Sequence, residues 1–336
     1  MEKRLWIPDY LKGWSVIIMI QAHIFETWIR QDILNTPVGE VIRFFNNFPA
    51  AIIFMLLMGF LAHHTKANSR KLIGRGFKVL FWGLLLNIGL NLNFIIRIVS
   101  KQIDGQILEA IFAVDILYLA GFSLIIIGII RYLKLSIWLS LVIAVGIAAI
   151  SPWMTDLMDK INPQSYLLAF VGSRAEWSFF PLFPWLSYPI VGYSLALLLN
   201  RFSFKQIKAV KKILFLTVTL AISSLAYIFN WNDLEDLSPF YHHGIMVFVW
   251  GISHTLALVA LLSLFPVLRR GGFSAWIQFA GKKLTRFYVI QWLIIGNLAS
   301  FYYQELGLWA YFIGFVAVSA TSTILVFLLK DQHFKL

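Results

Sequence analysis

The sequence predicts an all-α fold: a polytopic integral membrane protein with about ten transmembrane helices and both termini cytoplasmic. Three observations predict it. Hydrophobic residues make up 60% of the 336, enough for roughly ten spans of about 20 residues each. Charged residues make up only 13%, about half the share usual in a soluble domain. The cations that remain gather in alternate loops. No room is left for a separate soluble catalytic domain, so residues 1–336 are read as a single transmembrane domain.

Ten apolar runs can be marked, at about 13–29, 44–64, 79–99, 110–130, 135–152, 180–200, 213–230, 244–268, 286–304 and 308–329. The first follows Met1-Glu2-Lys3-Arg4 and superficially resembles a signal peptide. No small-residue cleavage site follows it, and Gln21, His23 and Glu26 interrupt the run, so it reads as a retained first span. Tryptophans and prolines crowd the connection between the fifth and sixth runs. This long outer segment, about 153–179, is rich in Trp, Asp and Ser. It reads as an amphipathic interfacial segment, with a lid or an acceptor platform as the functional alternative.

Charge orients these spans. Alternating them places on one side Lys3, Arg4, Lys12, Lys66, Arg70, Lys71, Arg75, Lys78, Arg131, Lys134, Arg201, Lys205, Lys208, Lys211, Lys212, Arg269, Arg270, Lys282, Lys283, Arg286, Lys330 and Lys335. Arg30, Arg43, Arg97, Lys101, Lys160 and Arg174 fall on the other side or at its span ends. The positive-inside rule makes the basic side cytoplasmic. The net charge of +12 is therefore mostly topogenic and does not indicate nucleic-acid binding. Two loops carry more cations than orientation needs, at Lys66–Lys78 and Arg201–Lys212. They suit anionic lipid headgroups or a phosphorylated cytoplasmic ligand. The absence of cysteine excludes disulfides, thiolate metal sites, a cysteine nucleophile and a thioester carrier.

Ionisable groups inside spans are costly and are functional candidates for that reason. Lys12 and His23 are eleven residues apart, a rotation of about 1100° and a rise of about 16 Å, so they share a helix face. Glu26 follows three residues later on the same face. The stripe runs from a cytoplasmic cation through a deep imidazole to an outer carboxylate; for His23 alone, helix packing is the competing explanation. Asp115, about six residues inside the fourth span, must be paired, neutral or facing water, either locking two helices or serving a catalytic site. Asn46, Asn47, Asn87, Asn91 and Asn93 fit helix–helix hydrogen bonding. His242 and His243 sit at an outer mouth, His254 lies deeper, and His63 and His64 border the cytoplasm. No metal motif is present among them, and no metal is expected.

The stretch Asp9-Tyr10-Leu11-Lys12-Gly13, followed by Met19 and His23, resembles the opening of the transmembrane acyl-CoA-dependent acyltransferases. These comprise the acyltransferase family 3 proteins and the relatives of heparan-α-glucosaminide N-acetyltransferase. Met58-Gly59-Phe60-Leu61 is similar to the end of that superfamily's second span, and Arg70 to Lys78 leading into Gly83–Asn87 to its basic third-span start. Phe180-Pro181-Leu182-Phe183-Pro184-Trp185-Leu186 with Gly192 is similar to its Pro-Trp motif. Gly281-Lys282-Lys283 followed by Tyr288, Gln291 and Trp292 is similar to a late Gly-Lys element. These matches occur in order over about 280 residues. Two departures stand out. Lys12 replaces the commoner arginine, keeping a cation without bidentate geometry. Gln291 stands where a histidine is frequent, so no proton-transfer role is assigned to the late motif.

The resemblance implies transfer of an acyl group, read as acetyl, from cytoplasmic acetyl-CoA (acyl-CoA) to an extracytoplasmic hydroxyl or amine. The acceptor is expected to be a glycan or lipid-linked sugar. Lys12, Arg70, Arg75 and Lys78 are placed at the anionic part of the donor, and His23 is placed as general base or as the carrier of an acyl-imidazole. Glu26 is placed as the group orienting His23, with an interfacial carboxylate as its alternative. Asp115 is placed at the acceptor or beside His23. By analogy the membrane is a bacterial cytoplasmic (inner) membrane. Partners are the donor, the acceptor and membrane lipids, with no nucleic acid; the oligomeric state is unread. Two competing functions share the composition: a transporter or flippase without acyl transfer, and a catalytically silent relative that recognises a glycan or lipid.

Overall fold

A computed structural model describes residues 5–46, 49–65, 67–201, 208–229 and 237–329. Lys3, Arg4, Asn47, Lys66, Lys205, Lys330 and Lys335 lie outside the described residues, as do both chain termini. Among the described residues the fold is helical without a strand. Two isolated bridges occur, Ile29 with Leu306 and Val114 with Ser178.

Among the described residues, six helices are long and apolar enough to cross a membrane: Ser69–Leu90, Ile137–Ile161, Leu182–Leu199, Ala209–Phe229, Ile245–Leu264 and Leu308–Leu328. Ala50–His64 and Ile116–Tyr132 are apolar but shorter. The first and ninth expected runs also lie in helices, Trp6–Trp28 and Leu284–Tyr302. The first carries Asp9, Lys12, Gln21, His23 and Glu26, and the second carries Arg286, Gln291 and Asn297. Their polar residues lower their mean hydropathy below that of a segment facing lipid alone.

Two expectations are corrected. The third run was expected at 79–99 with the cations before it in a loop. The helix instead runs Ser69–Leu90, with a separate short helix at Leu92–Val99, so Arg70, Lys71, Arg75 and Lys78 are helical. Asn68 Oδ1 accepts from the Lys71 amide at 2.9 Å and starts this helix. Its buried side includes Leu72 and Gly76. The second correction concerns Asp115, expected inside the fourth span. It is the N-cap of helix Ile116–Tyr132, and its carboxylate accepts from the Ile116 amide at 2.6 Å. Aspartate is among the best residues for satisfying a helix's orphan amides.

The residues group into two compact units. One comprises Met1–Ala50, Leu85–Ile111 and Val267–Lys335. Its centre is helix Trp6–Trp28, against which helices Pro37–Asn46, Gly272–Lys282, Leu284–Tyr302 and Leu308–Leu328 pack. Backbones meet directly at two glycines. A Cβ at Gly13 would lie 2.0 Å from the Ile277 carbonyl oxygen, and one at Gly281 would lie 1.8 Å from that of Asp9. Close approach through small residues is the usual way for helices to associate where lipid removes the hydrophobic drive between them. The far end is pinned by hydrogen bonds from Trp28 Nε1 to the Ile295 carbonyl at 3.2 Å and from the Leu306 amide to the Trp28 carbonyl at 2.8 Å. Asn93 bonds Asn297 and Ser300 on helix Leu284–Tyr302, while the amides of Asn87 and Asn91 donate to the carbonyls of Ile111 and Ala110.

The other unit comprises Ala51–Leu84 and Phe112–Pro266. Here the same device joins Ala50–His64 to Ser187–Arg201. A Cβ at Gly59 would lie 1.9 Å from the Pro189 carbonyl oxygen, and one at Gly192 would lie 1.9 Å from that of Leu56. Residues 153–179 are partly a continuation of helix Ile137–Ile161 past Pro152, followed by helix Tyr166–Val171. A small core of Val114, Ala169, Ala175 and Trp177 holds this segment down. Arg174 fastens it to helix Ile137–Ile161 by ion pairs of 2.9 Å with both Asp156 and Asp159.

Candidate active site

The first unit brings together two of the motifs singled out in the sequence, one near each end of the chain. Helix Trp6–Trp28 supplies His23, and helix Leu284–Tyr302 supplies Tyr288, Gln291 and Trp292, which share one face through their i, i+3, i+4 spacing. The His23 ring stacks on Trp292, with centroids 4.0 Å apart and planes at 28°. Tyr288 meets the same ring edge-on at 6.4 Å. The Gln291 side-chain amide nitrogen lies 3.3 Å from His23 Nδ1.

His23 is half-buried and Gln291 is buried. The other ring nitrogen, Nε2, makes no hydrogen bond to a described residue, and it is not among the fully buried orphan atoms. A neutral side chain therefore holds one nitrogen while the second is left to meet a reactant. The indole face of Trp292 packed flat on the imidazole fixes the plane of the ring. The contacts of the ring thus fall on Nδ1 and on its face, and Nε2 is the nitrogen that can meet a further partner.

The other predicted residues occupy distinct positions. Glu26 lies three residues beyond His23, and its electrostatic neighbour is Arg43. The side-chain contact at His23 Nδ1 comes from Gln291. Lys12 forms an ion pair with Asp9 at 3.2 Å, and both are buried beside the Gly13 and Gly281 crossings. Asp115 belongs to the other unit and caps a helix there.

Arg70, Arg75 and Lys78 are exposed and also belong to that unit. Lys71, Arg75 and Lys78, spaced i, i+4, i+7, fall within about 60° of one another on the helix, whereas Arg70 is about 100° round from Lys71. The basic stripe is therefore Lys71, Arg75 and Lys78, with Arg70 off its line.

The histidines of the second unit have structural partners. His243 Nε2 meets the Tyr188 hydroxyl at 2.7 Å, and its Nδ1 meets the Phe240 carbonyl at 2.6 Å. His243 lies in the loop before helix Ile245–Leu264, and burial pushes its imidazole pKa down to about 4. His242 Nε2 bonds the Ser173 carbonyl at 2.9 Å, and His254 Nδ1 meets Ser223 at 3.3 Å. Among the described residues no group of three or more His, Cys, Asp or Glu is placed to hold a metal ion.

Gln291 is the residue whose place at the site was missed. The available signal was the shared face of Tyr288, Gln291 and Trp292, a polar and two aromatic residues in an otherwise apolar run.

A family model described as heparan-alpha-glucosaminide N-acetyltransferase, catalytic, matches residues 4–230, about two thirds of the chain. The match includes Lys12, His23, Gly59, Asp115 and the Pro-Trp motif, and it ends before Gln291. No curated protein and no solved structure matches the chain.

Proposed function

The chain belongs to the heparan-α-glucosaminide N-acetyltransferase catalytic family, and on that premise we propose how it works as a membrane acetyltransferase. The donor is acetyl-CoA, presented from the cytoplasm. The acceptor is a hydroxyl or amine on the opposite side, on a carbohydrate or glycolipid. The observation that carries this reading is the His23 ring, held at Nδ1 by Gln291 and stacked on Trp292 while Nε2 stays unengaged.

The chemistry follows from that geometry. His23 Nε2 takes the proton of the acceptor O–H or N–H as the acceptor atom attacks the thioester carbonyl. The carbon–sulfur bond breaks, and the departing thiolate recovers the proton from the imidazolium. A positioned general base of this kind contributes roughly 10²–10⁴-fold. Trp292 supports the charged ring between the two transfers. The exposed stripe of Lys71, Arg75 and Lys78 offers cations for the phosphates of the donor, with the basic side of the membrane taken as cytoplasmic. An integral membrane protein of this class suits a cell-envelope acceptor in a bacterial inner membrane.

The test uses purified protein in detergent, with thermal unfolding and free CoA followed together for wild type and His23→Gln. Acetyl-CoA is expected to raise the unfolding temperature of both, while only wild type releases CoA when amino sugars and glycans are offered. Unfolding temperatures unmoved by acetyl-CoA, combined with substrate counterflow in vesicles without CoA release, would replace this reading with transport.

A further inference from the structure

Taking the transferase reading as its basis, we infer that Gln291 is a positioning residue that selects the tautomer of His23 by presenting its carbonyl end to Nδ1–H. Neutral imidazole has one N–H and one lone pair, and the partner at one nitrogen decides which nitrogen is basic. With the amide nitrogen of Gln291 donating to Nδ1 at 3.3 Å, the ring proton sits on Nε2, and Nε2 cannot accept a proton from a substrate. That orientation also leaves Gln291 Oε1 buried with no hydrogen-bond partner among the described residues.

A half-turn of the amide exchanges its two ends at the same position. Oε1 then accepts from Nδ1–H, and the lone pair on Nε2 faces the half-exposed side of the ring. Orphaned amide oxygens inside proteins are costly, and this turn gives the oxygen a donor. The same oxygen continues to accept from Nδ1–H when the ring is doubly protonated, which the amide nitrogen cannot do. A neutral amide also avoids adding a buried formal charge within the membrane, where such charge is expensive. Glu26, the nearest carboxylate in sequence, has Arg43 as its electrostatic neighbour, so among the predicted residues none replaces Gln291 at Nδ1.

The test combines kinetics with nitrogen NMR on the full chain in nanodiscs, using protein with ¹⁵N-labelled histidine. The sequence has seven histidines, and His23→Gln assigns the His23 signals by their loss. Wild type is expected to show His23 protonated at Nδ1 and unprotonated at Nε2, and Gln291→Met is expected to lose that preference. Kinetically, Gln291→Met should lower kcat on the order of 10–100-fold, as loss of an orienting partner does in other sites, with the KM for acetyl-CoA within about two-fold. Gln291→Glu keeps an acceptor for Nδ1–H and should recover most of the loss. An Nε2-protonated ring in wild type overturns the inference. So does a tautomer unchanged in Gln291→Met, or equal loss of kcat in both variants with unfolding temperatures intact. A wild type that transfers no acetyl group would remove the functional reading, yet the NMR result still decides the tautomer by itself.

Discussion

Replacing Gly281 with alanine tests whether helix Trp6–Trp28 is held by direct backbone contact. The new Cβ would lie 1.8 Å from the Asp9 carbonyl oxygen and 2.8 Å from the Gly13 nitrogen, whereas ordinary van der Waals contact begins at 3.4 Å. Both obstacles are backbone atoms, so no side-chain rotation relieves them, and the helices must part by roughly 1.5 Å. Overpacking of this kind costs about 1–3 kcal/mol, a fall of roughly 1.5–4 °C in unfolding temperature at an unfolding entropy of about 2.1 cal/mol/K per residue over 336 residues. His23 lies fourteen residues from Asp9, about 21 Å along the same helix, so it feels an attenuated tilt. A misplacement of 1 Å at the reacting groups costs on the order of 10²-fold, and turnover is expected to fall about 10-fold. The assay is thermal unfolding in detergent beside acetyl-CoA turnover. Gly146→Ala serves as control, because a Cβ there meets nothing within 4 Å and should be neutral or stabilise by about 1 kcal/mol. Wild-type unfolding and turnover in Gly281→Ala would refute the reasoning.

Three further outcomes follow from the other sites. Neutralising Arg75 and Lys78 together should raise the KM for acetyl-CoA on the order of 10-fold at low ionic strength, and the effect should shrink as salt screens the exposed charges; Arg70→Gln, off the stripe, should have the smaller effect in the same titration. The His243 pKa is depressed to about 4 in the fold against about 6.5 unfolded. The unfolded chain then binds the proton more readily, so this stability is present above pH 6.5 and is lost as pH falls towards 4. Between pH 7.5 and pH 5 the loss is about 2 kcal/mol, measurable as a drop in unfolding temperature that His243→Asn reduces. At the helix cap, Asp115→Ala should lose about 1 kcal/mol, while Asp115→Asn, which still caps, should unfold near the wild-type temperature.

The helical membrane class was legible because burial in lipid leaves a compositional mark that no single residue can hide. His23 could be singled out because an imidazole in an apolar run is costly without a task. The partner of His23 was harder to see. Gln291 lies 268 residues away, and local periodicity carries no information about which helices become neighbours. Asp115 was misplaced because an aspartate just inside an apolar run and one capping a helix just after the run begins look alike in sequence. The start of the third helix was misplaced for a related reason. Hydropathy marks where lipid begins, not where the backbone becomes helical, and Arg70–Lys78 extend the helix beyond its apolar part. The glycine crossings show a different limit. Gly13, Gly59, Gly192 and Gly281 were visible within motifs, but their task emerged only when the opposing carbonyls were known.

The 268-residue separation of His23 and Gln291 also sets a timetable. At about 5–20 residues per second, a ribosome finishes the histidine's helix roughly 15–50 s before it makes the glutamine. For most of that interval the first helix has no Ile277 or Gly281 to lie against, and throughout it the imidazole has no Trp292 beneath it. The early helix is also among the more polar ones, so its final seating awaits the last third of the polypeptide. Chains stopped short of residue 291 would carry the histidine without the groups that orient it. The surroundings of His23 are thus among the last parts of the molecule to be completed at birth.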